Sequence, residues 1–237
     1  NKPLGASAWG DPQIADNNTL AYRATQGGQD RYIVYNPVGD SATQVAVDDD
    51  TTLGFLGTPS YNNNGQIGAL VWDATQSNQR QIRRFATSGA STILATPVSG
   101  FTDFLNGVSL NDYGAIGFRG SLPGGQAAIA LASEGGIVTI ADTLSGPLAT
   151  IASFGPSLNN NGLIAFRATP TGGTEGIYIG RAGEGFARVI GAGDQVMTDL
   201  GPATVGSFAG RPDINNAGDI SFNVALTAVG GGSIGRG

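Results

Sequence analysis

Pro156-Ser-Leu-Asn-Asn-Asn-Gly-Leu-Ile-Ala-Phe-Arg-Ala168 decides the fold of this chain, because it occurs five times in graded forms. The copies occupy residues 12–24, 59–71, 108–120, 156–168 and 212–224. Each reads as a short extended run, an Asn-rich tight turn closed by Gly, and a strand. The starting positions recur every 47–56 residues, the widest step falling where residues 191–205 lengthen the last connection. Repeats of roughly 40–50 residues holding four strand-like runs are the mark of β-propeller blades.

The fourth copy supplies the template. Residues 149–158 give a first strand and 163–169 a second; Gly172-Gly173 marks a turn, and strands follow at 176–181 and 188–192. Side chains alternate across a strand, so Ile164 and Phe166 point one way and Leu163, Ala165 and Arg167 the other. The Ala165 position holds Ala21, Gly68, Gly117 and Ser221 elsewhere, all small. The Phe166 position holds Tyr22, Ala69, Phe118 and Phe222, so four of five are aromatic. A strand pressed between neighbouring blades needs one large and one small face. Trp72 reads as the ring that repacks the space left by Ala69.

The turn closes on Gly65, Gly114, Gly162 and Gly218, with Asn18 in the first copy. Gly and Asn are the residues that enter the left-handed region at low cost. Asn159 and its counterparts Asn62, Asn111 and Asn215 are expected to bond their own turn backbone.

The template predicts an all-β, five-bladed β-propeller in one domain over residues 1–237. Its blades fall at about 4–48, 51–96, 101–142, 149–192 and 204–237, with the last incomplete. A β-solenoid or open repeat array is the runner-up. In the fifth blade a third strand over 232–236 has barely started. Its edge could be completed by residues 1–5, by residues beyond Gly237, or by a strand from a neighbouring subunit.

Composition narrows the function classes. Among 237 residues, 39 are Gly and only 13% are charged, which suits short strands joined by tight turns. The net charge is −6, and Lys2 is the single lysine, so a nucleic-acid partner is not expected. No stretch approaches the ~20 apolar residues of a membrane helix. The absence of Cys removes thiolate metal sites and disulfides, and the absence of His removes the commonest metal ligand and general base. The chain opens at Asn1 without a signal-like run and reads as a mature or trimmed form.

Asn159-Asn-Asn-Gly-Leu-Ile-Ala-Phe166, with Asn111-Asp-Tyr-Gly-Ala-Ile-Gly-Phe118 and Asn215-Asn-Ala-Gly-Asp-Ile-Ser-Phe222, resembles the bacterial tandem-repeat proteins named for the NxxGxxAF pattern, of the choice-of-anchor type. Ser153-Phe154-Gly155-Pro156, Gly176-Ile-Tyr178 and Ala192-Gly-Asp194 resemble the same family. The first and second copies depart from it at Asn18 and Ala69. The resemblance implies an exported or cell-surface protein without established catalytic residues. It leads to a non-enzymatic, extracellular binding or assembly module, with protein subunits at the open edge of the last blade or surface glycan as partners. No cofactor or metal is expected.

The competing class is a glycosidase-like propeller enzyme, which needs a pair of carboxylates across the channel. Asp11, Asp103 and Asp213 lie beside first strands but at unequal repeat positions, and Glu134, Glu175 and Glu184 fall in turns. Asp48-Asp49-Asp50 offers hard oxygens for calcium, yet lacks the spaced ligand loop and reads as a solvated turn. Arg80, Arg83 and Arg84 are candidate partner contacts, as are Trp9 and Arg236. Against this, an arginine run on an outer strand usually serves to block unwanted edge pairing. Arg23, Arg119 and Arg167, each one residue past the aromatic, are expected to bond carbonyls or acids between blades, with a ring of equivalent binding sites as the sharper alternative.

Overall fold

The computed structural model describes residues 8–105, 107–231 and 233–236, apart from the side chains of Ala8, Trp9, Asp11 and 233–236. Among the described residues the strands form five antiparallel sheets in chain order, with no α-helix. The first contains β1 (Ala8–Ile14), β2 (Leu20–Gln26), β3 (Gln29–Asn36) and β4 (Ser41–Val47). The second contains β5 (Leu53–Leu56), β6 (Ser60–Tyr61), β7 (Ile67–Asp73), β8 (Gln79–Phe85) and β9 (Ser91–Ala95). The third runs through β10 (Asp103–Phe104), β11 (Ser109–Leu110), β12 (Ile116–Ser121), β13 (Ala127–Ser133) and β14 (Gly136–Asp142). The fourth runs through β15 (Leu148–Ile151), β16 (Ser157–Leu158), β17 (Ile164–Pro170), β18 (Gly176–Arg181) and β19 (Gly185–Gly191). The fifth is ordered β20 (Gln195–Thr198), β21 (Gly201–Ile214), β22 (Ile220–Ala228) and β23 (Ser233–Arg236).

Two departures from the repeat template matter. The expected first strand is interrupted in the second, third and fourth sheets, where two short pieces pair with the same neighbour. Pro59 and Pro156 stand at the interruption and have no N–H for the ladder. The 191–205 connection is also partly strand, because β20 folds back on the first residues of β21, with Gln195 opposite Thr204.

From the second sheet on, the large face packs on the small face of the sheet before it. Ile116 and Phe118, both fully buried, share a cluster with Leu70, Ile82 and Leu94 of the second sheet. A Cβ on Gly68 would stand 2.9 Å from Ile116 Cδ1 and 3.1 Å from Leu110 Cβ, so the approach requires Gly. The ring missing at Ala69 is supplied by Phe85, which meets Tyr32 edge to face at 5.8 Å. Trp72, an odd number of residues from Ala69, lies on the opposite face and meets Phe55 in a tilted ring contact at 5.0 Å. The reading of Trp72 as the substitute is therefore corrected by strand parity.

Candidate functional site

The turns do more than turn. Asn159 Oδ1 accepts from Leu163 N, and Asn111 Oδ1 from Tyr113 N and Ala115 N, as the repeat implies. Their amides then reach sideways to the next sheet. Asn62 Nδ2 donates to Asn111 O (2.9 Å), Asn111 Nδ2 to Asn159 O (3.4 Å), and Asn159 Nδ2 to Asn215 O (2.9 Å). The next residue of each turn builds a second row. Asp16 N donates to Asn63 Oδ1, Asn63 N to Asp112 Oδ1, Asp112 N to Asn160 Oδ1 and Asn160 N to Asn216 Oδ1, at 2.8–2.9 Å. A third row runs backward, from Leu110 N to Ser60 Oγ, Leu158 N to Ser109 Oγ and Ile214 N to Ser157 Oγ. Burial pushes the Asp112 carboxyl up, but the Asn63 N–H and the amides of Asn160 and Asn63 outweigh it and hold it below the usual carboxylate range.

The recurring arginines tie the sheets in the same direction. Arg23 Nη1 donates to Leu56 O (2.9 Å), Arg119 Nη2 to Ile151 O (3.3 Å) and Arg167 Nη1 to Gly210 O (2.6 Å). These are the carbonyl contacts expected of them.

Inside the turns lies a cavity of about 340 Å³ to which all five sheets contribute. Its wall is Gln13 from the first sheet, Thr58, Pro59 and Ser60 from the second, Gly107 and Val108 from the third, Ser153, Phe154 and Gly155 from the fourth, and Arg211 from the fifth. These are the segments where the strand is interrupted in the second to fourth sheets and shifts register in the first and fifth. The Phe154 ring is 48% exposed, and the Arg167 guanidinium lies 5.2 Å from its centroid. Arg211 pairs with Asp213 at 3.1 Å. The wall thus offers hydroxyls, one guanidinium and one aromatic ring, and among the described residues it carries no carboxylate. Such a set can orient a small polar or anionic group by hydrogen bonding and stacking. Sequence reasoning did not single out this wall, although Pro12, Pro59, Pro156 and Pro212 marked the interruption.

The residues singled out from sequence lie elsewhere. Arg80 pairs with Asp103 at 2.6 Å and stands 5.3 Å from the Trp72 ring centroid. Arg83 is buried, pairs with Asp73 and donates from Nε to Gln81 Oε1 at 2.7 Å. Arg84 donates to Gly114 O at 3.0 Å and pairs with Glu134. The three do not converge on one surface, because strand alternation sends Arg83 and Arg84 to opposite faces. The backbone of Trp9 pairs opposite Ala24 and that of Arg236 opposite Ala225; both side chains lie outside the described residues. Glu175 pairs with Arg167 and Glu184 with Arg181, at 2.7 and 3.2 Å. Asp49 Oδ1 accepts the N–H groups of Thr52, Thr51 and Leu53, which lower its pKa to about 2. That oxygen is occupied by the turn.

No family model matches the sequence, and no curated protein is detectably similar to it. Solved structures do overlay on it. TolB from Acinetobacter baumannii is 12% identical, with a TM-score of 0.51 over 97% of this chain and 53% of its own. The chain therefore spans about half the length of that relative. The fold is propeller-like. The β-propeller domain of the Trilobed protease from Pyrococcus furiosus is 9% identical over 98% of this chain and 84% of its own, with a TM-score of 0.46. A structure of the nidogen/laminin complex is 12% identical over 94% and 78%, with a TM-score of 0.48.

Proposed function

We infer that this chain is a non-enzymatic binding module: a five-bladed β-propeller of the NxxGxxAF type, working at the cell surface or outside the cell. The observation that carries the reading is the cavity wall. Five sheets converge on recognition groups, namely Arg211, the Ser60 and Ser153 hydroxyls and the Phe154 ring, and among the described residues the wall lacks the paired carboxylates that glycoside hydrolysis needs. The repeat resemblance supports the extracellular setting. The candidate partners are surface glycan at the cavity and protein subunits along the β23 edge, which ends the fifth sheet.

A glycan array, followed by calorimetry with wild type and Arg211→Ala, tests the cavity. Binding that weakens at least tenfold in Arg211→Ala supports the reading. Turnover of aryl glycosides by the purified chain, or silence across sugar and peptide arrays, overturns it.

A further inference from the structure

The three joints from the second sheet to the fifth carry all three bonding rows, the joint between the first and second sheets carries the row from Asp16 to Asn63, and a further set of parts stands unused. On the fifth sheet Asn215 is exposed, whereas Asn62, Asn111 and Asn159 are buried at 3–6% exposure. Its amide donates to Asp219 of its own turn at 2.9 Å instead of reaching sideways. Ser221 is exposed at the position where Ala21, Gly68, Gly117 and Ala165 are buried. Asn223 stands at the position held by Arg23, Arg119 and Arg167, as Leu70 does in the second sheet.

The matching half lies on the first sheet. Ile14 is 67% exposed, while Tyr61, Leu110, Leu158 and Ile214 at the same position reach at most 9%. Pro12 is exposed where Pro59, Pro156 and Pro212 are buried, and the Asp16 side chain stands exposed at the start of the second bonding row. Among the described residues the fifth sheet makes none of the three rows of hydrogen bonds to the first.

We propose that these two faces are the halves of one intermolecular joint, completed by a second copy of this chain. The fifth sheet of one copy packs on the first sheet of the next in the register used inside the chain. Asn216 N–H meets the Asp16 carboxylate, Ile14 N–H meets Asp213, and the large residues Ile14 and Leu20 cover Ser221. A second copy carries complementary groups for the second and third rows and for the large-against-small packing, in an interface whose second row is already built four times. The surface is the face of the fifth sheet, separate from the β23 edge, and neither Ser221 nor Ile14 lines the cavity, so it does not rest on the ligand-binding reading. The contact is heterologous, head to tail, and propagates through successive copies or closes into a ring.

Sedimentation velocity and light scattering over a concentration series test it. Wild type is expected to rise above the mass of one chain, and Ser221→Arg and Ile14→Asp are each expected to sediment as one chain. Both positions are exposed, so circular dichroism should show both variants folded. Mixing the two variants leaves one face intact on each and is expected to restore a species of two chains. Wild type that stays at one chain throughout overturns the proposal. So does association that survives either substitution, or a mixture that fails to combine.

Discussion

Asn159 Nδ2 donates to the main-chain carbonyl of Asn215 at 2.9 Å, while the Asn215 amide folds back onto its own turn. The same residue type at the same repeat position is a joint in one sheet and a free turn in the next. The difference lies in what stands beside it.

Removing Asn159 therefore costs more than removing Asn215. Asn159→Ala strands the Leu163 N–H and the Asn215 carbonyl at a partly buried joint, a loss of about 1–3 kcal/mol. Asn215→Ala exposes its groups to water and should cost under about 1 kcal/mol. Urea unfolding of the two variants measures the difference, and equal losses would remove the sideways bond from the account.

Gly68→Val should destabilise by about 1–3 kcal/mol, because the added carbons meet Ile116 and Leu110 and overpack the joint. Ser221→Val at the equivalent exposed position should stay within about 0.5 kcal/mol at dilute concentration. Thermal melts of the pair compare a made joint with an open one.

The second-sheet arginines separate by burial. Arg83→Leu leaves the Asp73 carboxylate buried with one cation removed and should cost about 3–5 kcal/mol. Arg80→Leu breaks a pair whose side chains are 38% and 40% exposed and should cost about 1 kcal/mol or less. Denaturant midpoints decide it, and similar losses would show that burial does not govern these pairs.

Acid should weaken the fold through Asp49. Its folded pKa of about 2 lies below the ordinary 3.8, so the unfolded chain takes up the proton first. The stabilisation is complete above 3.8 and fades as pH falls toward 2. The lowered Asp112 and Asp73 carboxyls act with the same sign. In Asp49→Asn the fall of the urea midpoint across this range should be shallower than in wild type; an unchanged slope would exclude Asp49 as a source.

Much of the architecture could be read from local pattern. The period, the left-handed positions at Gly162 and Asn18 (φ 76° and 63°), and the small-against-large faces follow from backbone conformation and strand alternation. So did the reach of Arg23, Arg119 and Arg167, because a repeated cation in stacked sheets meets a repeated carbonyl. The site was less legible. Asn159 satisfies its own turn, which already explains its presence, and nothing in one repeat shows that its amide is free to bond the next. Trp72 is close to Ala69 along the chain, but strand parity puts the two on opposite faces. Arg80, Arg83 and Arg84 looked like a patch because they are close in sequence, whereas a strand distributes neighbours to opposite faces.

By itself the sequence determined the units: five strand–turn–strand repeats, their turn chemistry and which face of each strand is small. These depend on dihedral preferences and on a period of two, which act over a few residues. Only the tertiary structure decided what the units build together, namely the bonded rows between turns, the cavity wall from the interrupted strands, and the unmade joint between the fifth sheet and the first. Those depend on contacts between residues some 50 positions apart, where one repeat supplies the donor and the next the acceptor. An Ile at residue 14 and an Ile at residue 214 are alike in sequence, and whether a neighbouring sheet covers them sets one in solvent and buries the other.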